Sequence, residues 1–293
     1  MVTFCNKIIF RFNFKSKIFR YNDSVMKLFV FDIDGTLIHN RKIELEVKLK
    51  NKLNKILKRG DVVAIASGRP YAGIIQIFNQ LDEGKKYLLC ANGSLVTDIN
   101  GNVLYKCGIK IKEYYDFVLK HPKIFKNRTS NIYCYTNHHI GYLKRNFWIN
   151  AEEKHNGDFK GINLKKNPLP DDYEILKFMI ASLPRRSKNF DEKEITNEEK
   201  AQFNIVRTSE FFVEFINKNS DKACGVEFLK DYLKIDEKDI YTFGDSGNDV
   251  GMLKRFNGVA MGNASKECKE VAKFITKNVD EDGILYAFEH FVK

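Results

Sequence analysis

Four short runs of almost unbroken hydrophobic residues, KLFVF (27–31), VVAIAS (62–67), YLLCANG (87–93) and IYTFGD (240–245), punctuate the chain. Runs of this length without polar alternation belong to parallel strands covered on both faces. Between the first two, Leu45, Leu49, Leu53, Ile56 and Leu57 recur at helical spacing and predict an amphipathic helix over about 44–58. A second helix is expected over about 70–81. Strand–helix–strand–helix–strand predicts right-handed βαβ units and a parallel sheet.

From about 95 to 215 the rhythm changes to mixed and alternating pieces. SLVTDINGNVLYKC carries a turn at Asn100-Gly101, NIYCYTN and EILKFMIAS follow, and FNIVRTSEFFVEFI closes the region. A helix and its loop are expected over 185–202. The βα rhythm then resumes, with helices expected over 222–235, 248–256 and near 264–272, and strands over 240–245, 258–261 and 273–276. The expected fold class is α/β: a doubly wound parallel sheet core, discontinuous in sequence (26–107 and 217–293), with an α+β unit inserted at 108–216.

Composition changes this picture little. At 293 residues and 43% hydrophobic the chain can bury a full core. The net charge of +11 raises a nucleic-acid or membrane partner. The lysines are scattered over helix-like polar faces such as EVKLKNKLNKILKRG (46–60), however, which describes a solvated basic surface and no nucleic-acid site. No run reaches the roughly 18–20 apolar residues of a membrane span. The six cysteines (Cys5, Cys90, Cys107, Cys134, Cys224, Cys268) form no C-x-x-C pair. They read as reduced small hydrophobes in a cytoplasmic protein. His138-His139 would point to opposite faces of a strand, a poor metal pair. Residues 1–25, basic and aromatic, read as a dispensable extension or a targeting segment, with Met26 an alternative start. A monomer is the default expectation.

The candidate chemistry sits where expected core strands or helices meet loops: Asp32 and Asp34 in DIDGT, Ser67 and Gly68 in SGRP, Lys222, and Asp245, Asn248 and Asp249 in GDSGND. Each has a plain structural reading alone, as a turn, a helix cap or a solvated lysine. Together, in this order, they point to one crevice at the carboxyl ends of parallel strands. Two carboxylates brought together there repel unless they share a hard divalent cation, and Mg²⁺ suits carboxylates plus a substrate phosphate. Asp32 could attack a phosphoryl group whose charge is screened. Asp34, two residues on, could protonate the leaving oxygen and then activate water. The Ser67 hydroxyl, the backbone N–H groups of SGR and the Lys222 ammonium would hold the phosphoryl oxygens.

These residues resemble, in order, the four signature motifs of the haloacid dehalogenase superfamily. The ~150-residue gap between Ser67 and Lys222 is similar to the Cof-type branch with its large α+β cap, as are ANGS (91–94) and AMGNA (260–264). The resemblance covers about 27–293. It implies a Mg²⁺-dependent phosphatase with a Rossmann-like core and a mobile cap, acting on a small phosphorylated metabolite such as a sugar phosphate or a nucleotide-derived cofactor. It also implies that Asp32 is nucleophile and metal ligand, and that Asp34 is acid/base with its backbone carbonyl on the metal. Asp245 would complete the metal site, Ser67, Lys222 and Asn248 would hold phosphate, and Asp249 would act from behind. One departure is ACG (223–225) after the lysine, where the branch commonly has Gly directly. A phosphomutase using the same aspartyl-phosphate, or a non-catalytic sensor of a phosphorylated ligand, stays open. Tyr133, Tyr135, His138, Arg185 and Arg186 are the insert's candidates for reading the substrate.

Overall fold

The computed structural model describes residues 25–39, 43–157, 159–183 and 194–292. Residues 1–24 of the N-terminal extension, Arg185 and Arg186 therefore lie outside the described residues. In chain order the strands are β1 (Leu28–Phe31), β2 (Val62–Ala66), β3 (Lys85–Cys90), β4 (Leu95–Asp98), β5 (Val103–Lys106), β6 (Ile109–Lys110), β7 (Ser130–Tyr135) and β8 (Ile140–Tyr142). They continue as β9 (Gly161–Asn163), β10 (Glu174–Ile175), β11 (Lys177–Ser182), β12 (Phe203–Arg207), β13 (Phe212–Asn217), β14 (Ile240–Gly244), β15 (Asn257–Ala260) and β16 (Phe274–Ile275).

An eight-stranded sheet runs β16-β15-β14-β1-β2-β3-β4-β5. From β16 to β3 every pairing is parallel, and β4 and β5 add an antiparallel edge. The SLVTDINGNVLYKC hairpin thus extends the first sheet and does not open the inserted unit. β1 is central and wholly buried. Its alternate side chains feed two layers: Leu28 and Val30 pack with Val226 and Leu229 of helix Lys222–Leu233. Phe29 and Phe31 pack with helices Val47–Lys58 and Gly283–His290 on the other face, where their rings meet Phe288. This two-faced burial is why the strand sequence shows no alternation.

A second sheet, β12-β13-β11-β7-β8-β9, is formed by the segment between β5 and helix Lys222–Leu233. One of its faces packs on helices Ile111–Lys120 and Pro122–Lys126. The other, carrying Tyr133, Tyr135 and Met179, shares the cluster of the first sheet. β6 pairs with β10 at the junction of the two sheets.

Several sequence expectations shift. The strand expected over 87–93 stops at Cys90, because Ala91, Asn92 and Gly93 all take positive φ and turn the chain. The first two helices are shorter than expected, Val47–Lys58 and Tyr71–Phe78. His138 and His139 lie in the exposed turn between β7 and β8, not on a strand, where Thr136 Oγ1 accepts from both backbone N–H groups. Helix Phe147–His155 falls among the helices an α+β insert implies, whereas helix Gly283–His290 has no counterpart in the sequence expectations.

Candidate active site

The sequence reverses direction of strand order between β1 and β14, neighbours separated by more than 200 residues. Such a switch point opens a crevice at the strand ends, and the signature residues collect there. The Asp32 backbone N–H donates to the Phe243 carbonyl at 2.9 Å, tying the first strand end to the second. Gly35 turns the chain at φ +88°, and a Cβ there would sit 2.5 Å from Asp245 Oδ2. Glycine is what lets the Asp245 carboxylate approach the turn. Thr36 Oγ1 donates to Asp245 Oδ1 at 3.2 Å.

Lys222, the first residue of its helix, is fully buried and lies 2.5 Å from Asp32 Oδ1 and 2.6 Å from Asp249 Oδ1. Asp249 is also fully buried, and its Oδ2 accepts the backbone N–H groups of Asp245 and Ser246, both at 3.0 Å. Both its oxygens are engaged by the chain, so it braces Lys222 and the 245–246 loop. Burial is the main force on Asp32, raising its carboxyl to about 8 against the opposing pull of Lys222. Burial also pushes Asp245 up to about 6, with the nearby Asp249 charge adding to it. Carboxyls held this way gain from any cation that joins them.

One carboxylate oxygen from each of Asp32, Asp245 and Asp249 lies within 4.8 Å of the other two. Oxygen-only donors suit a hard divalent cation. Asp249's oxygens are already taken, which leaves Asp32 and Asp245 as the carboxylates with capacity to spare.

Asp34 is half exposed, unlike the buried Asp32 and Asp249. Arg69 grips it in a fork, with Nη2 at 2.7 Å from Oδ1 and 2.9 Å from Oδ2 and Nε at 3.2 Å from Oδ2. Sequence reasoning used only the backbone of Arg69 and missed this. Ser67 is buried, and its Oγ accepts the Arg69 backbone N–H at 3.2 Å. Its carbonyl accepts from the Asn92 N–H at 2.9 Å, and Arg69's carbonyl from the Ala91 N–H at 3.0 Å. Asn248 Nδ2 donates to Asn92 Oδ1 at 2.9 Å, so the 67–69, 91–93 and 245–249 loops form one connected rim. Gly225, three residues after the lysine, leaves room where a Cβ would lie 2.8 Å from Leu89 Cδ2, so it lets the lysine's helix pack against β3.

Of the insert's candidates, Tyr135 is a buried strand residue whose hydroxyl donates to Glu152, and Tyr133 is buried beside it. His138 is exposed in its turn.

A family model described as haloacid dehalogenase-like hydrolase matches residues 29–288. YkrA of Bacillus subtilis is 30% identical over 272 residues, spanning 89% of this chain and 96% of that protein. The same bacterium's 5-amino-6-(5-phospho-D-ribitylamino)uracil phosphatase YcsE is 25% identical over 280 residues, covering 92% and 97%. Among solved structures, the HAD subclass IIB sugar phosphatase BT4131 superposes with a TM-score of 0.69 at 24% identity, covering 91% of this chain and 99% of that one.

Proposed function

The chain belongs to the haloacid dehalogenase-like hydrolases, and from that membership we propose a Mg²⁺-dependent phosphatase that hydrolyses a small phosphorylated metabolite through an aspartyl-phosphate on Asp32. The observation that carries this reading is the buried Asp32 carboxylate at the switch point, held by Lys222 on one oxygen and facing Asp245.

Lys222 fixes Asp32 Oδ1, leaving Oδ2 to form the bond to phosphorus. As the bond from phosphorus to the ester oxygen breaks, Asp34 delivers a proton to that oxygen. Asp34 then takes a proton from the water that cleaves the aspartyl-phosphate, restoring Asp32 and releasing inorganic phosphate. Arg69 aims the Asp34 carboxylate for both transfers. The Ser67 hydroxyl, the Gly68 N–H, Lys222 and the Asn248 carboxamide hold the phosphoryl oxygens. Asp32, Asp245 and the backbone carbonyl of Asp34 would hold Mg²⁺, and Asp249 stands behind them. When bound, the ion screens the negative charge between nucleophile and phosphate.

The second sheet, built from the insert expected at 108–216 and reaching Asn217, would act as the cap that covers the substrate and excludes water. A sugar-like or nucleotide-derived phosphate ester is the substrate class; YcsE, whose name specifies a phosphoribitylamino compound, supports it. The test is phosphate release from a panel of small phosphate monoesters, with Mg²⁺ and with chelator. Activity is expected only with the metal, and Asp32→Asn is expected to lower kcat by about 10³-fold or more. Unchanged turnover in Asp32→Asn, or with chelator, would overturn the reading.

A further inference from the structure

Two buried charges on the second sheet have no place in the chemistry above. Lys177, in the middle of the apolar run EILKFMIAS, is 2% exposed. Glu214, inside FFVEFI, is 5% exposed. Their side chains meet at 2.8 Å. A buried ion pair is a poor source of stability, since apolar residues of similar volume often serve as well or better. What distinguishes this pair is where its remaining hydrogen bonds go.

Lys177 Nζ also donates to the Gly68 carbonyl, at 2.8 Å, in the loop expected to bind phosphate. Glu214 Oε2 accepts from Asn92 Nδ2 at 3.1 Å. Asn92 in turn accepts from Asn248 Nδ2 through its Oδ1, and its backbone N–H is bonded to the Ser67 carbonyl. The bonds form a closed circuit: Gly68, Lys177, Glu214, Asn92 and back to Ser67. A branch from Asn92 leads to Asn248.

Direction matters in this circuit. A carboxylate only accepts, so Glu214 obliges Asn92 to present its NH₂ to the second sheet and its oxygen to Asn248. Asn248 must then donate to Asn92, while its own oxygen accepts from Ser246 Oγ at 2.8 Å. The orientation of the Asn248 carboxamide is thereby set from the other sheet.

We propose that Lys177 and Glu214 are positioning residues for phosphate binding: together they pin the Gly68 loop and, through Asn92, orient Asn248. This rests on the proposed phosphatase reading, and it goes beyond it by assigning a role to residues that touch no substrate.

Three variants test it. Glu214→Gln keeps size and hydrogen bonding but can donate, releasing the enforced direction. Lys177→Met with Glu214→Leu removes the pair with little change in volume. Asn92→Ala cuts the relay at its middle. Each is expected to lower kcat by about 10- to 100-fold and to weaken competitive inhibition by inorganic phosphate, while the thermal midpoint of the Met/Leu variant stays near that of wild type. Asn92→Ala combined with Glu214→Gln is expected to lose no more than either alone, as groups acting in one chain do. Wild-type kcat and phosphate inhibition in the Met/Leu variant would overturn the proposal. If that variant does not fold, the same values in Glu214→Gln would overturn it. If wild type itself releases no phosphate, the hydrolase reading fails separately. The relay is then judged by calorimetric binding of orthovanadate with Mg²⁺: weaker binding in Glu214→Gln supports it. Equal binding, or none by wild type, overturns it.

Discussion

Lys222 is wedged between two carboxylates with no exposure to solvent, so its charge is balanced only inside the protein. Removing it would strand Asp32 and Asp249 together in the interior, a loss of the kind that costs about 3–5 kcal/mol. Arg69 and Asp34 meet under milder conditions, since Asp34 is half exposed, and their value lies in geometry more than energy. A lysine at position 69 keeps the charge and loses the fork. Arg69→Lys is therefore expected to lower kcat by about tenfold, with the thermal midpoint little changed and Asp34→Asn adding a much larger loss; steady-state kinetics of the variants checks this. At this scale Asp32, Ser67, Lys222 and Asp245 were legible because each closes or opens an element beside a glycine or a second polar group. Lys177 and Glu214 were not singled out, although a charge inside an apolar strand was their visible mark. Asn92 was noted only as part of a landmark, since nothing in a linear sequence shows which loop it will touch.

At the scale of elements, the turn after β3 does more than end a strand. Three successive residues with positive φ bring Asn92 under the Ser67 loop, and Gly93 lets the chain pass the start of the Lys222 helix. A Cβ on Gly93 would sit 2.1 Å from the Asp221 carbonyl oxygen, with φ at +86°. Gly93→Ala combines that backbone clash with a conformation costing about 1–2 kcal/mol for a residue with a side chain. It is expected to lower stability by at least about 2 kcal/mol, read as a drop in the urea midpoint, and to impair activity in the protein that remains folded. Asn92-Gly93 marks the end of this strand in the sequence, but the turn begins at Ala91, which carries no turn signal, so the strand reads three residues too long. Helix Gly283–His290 was missed for the opposite reason. The helix is only eight residues long, too short to show a clear period, yet its buried Phe288 reaches the rings of Phe29, Phe31 and Phe243.

For the molecule as a whole, Asp32 and Asp245 tie stability to pH and, on the proposed reading, to metal. Asp245 and Asp32 have an ordinary value of 3.8 and rise on folding to about 6 and about 8. The folded protein thus binds protons more readily than the unfolded chain, and these groups favour folding most at low pH. Their contribution is lost as pH climbs from about 4 through 6 and 8. Thermal melts of chelated protein are expected to show a midpoint falling across that window, after allowance for general acid effects below it. Added Mg²⁺ is expected to raise the midpoint more at pH 8 than at pH 5, where protons compete for the same oxygens. The parallel order of strands was legible from burial and rhythm; the break in that rhythm marks the second sheet but begins too early, at the β4–β5 hairpin of the first sheet. The contact of the two sheets was not legible, because it depends on side chains more than 100 residues apart, such as Lys177 and Gly68. The pairing of β1 with β14, Leu28 against Ile240 through Phe31 against Phe243, has a consequence in time. During synthesis the central strand of the first sheet has one neighbour only, and its other edge stays unpaired until β14 (Ile240–Gly244), near the start of the last fifth of the chain, has emerged. Phe29 and Phe31 spend that interval without the rings of Tyr241, Phe243 and Phe288 that finally cover them. A nascent or prematurely terminated chain therefore displays an open, aromatic strand edge of the kind that chaperones bind and aggregates recruit.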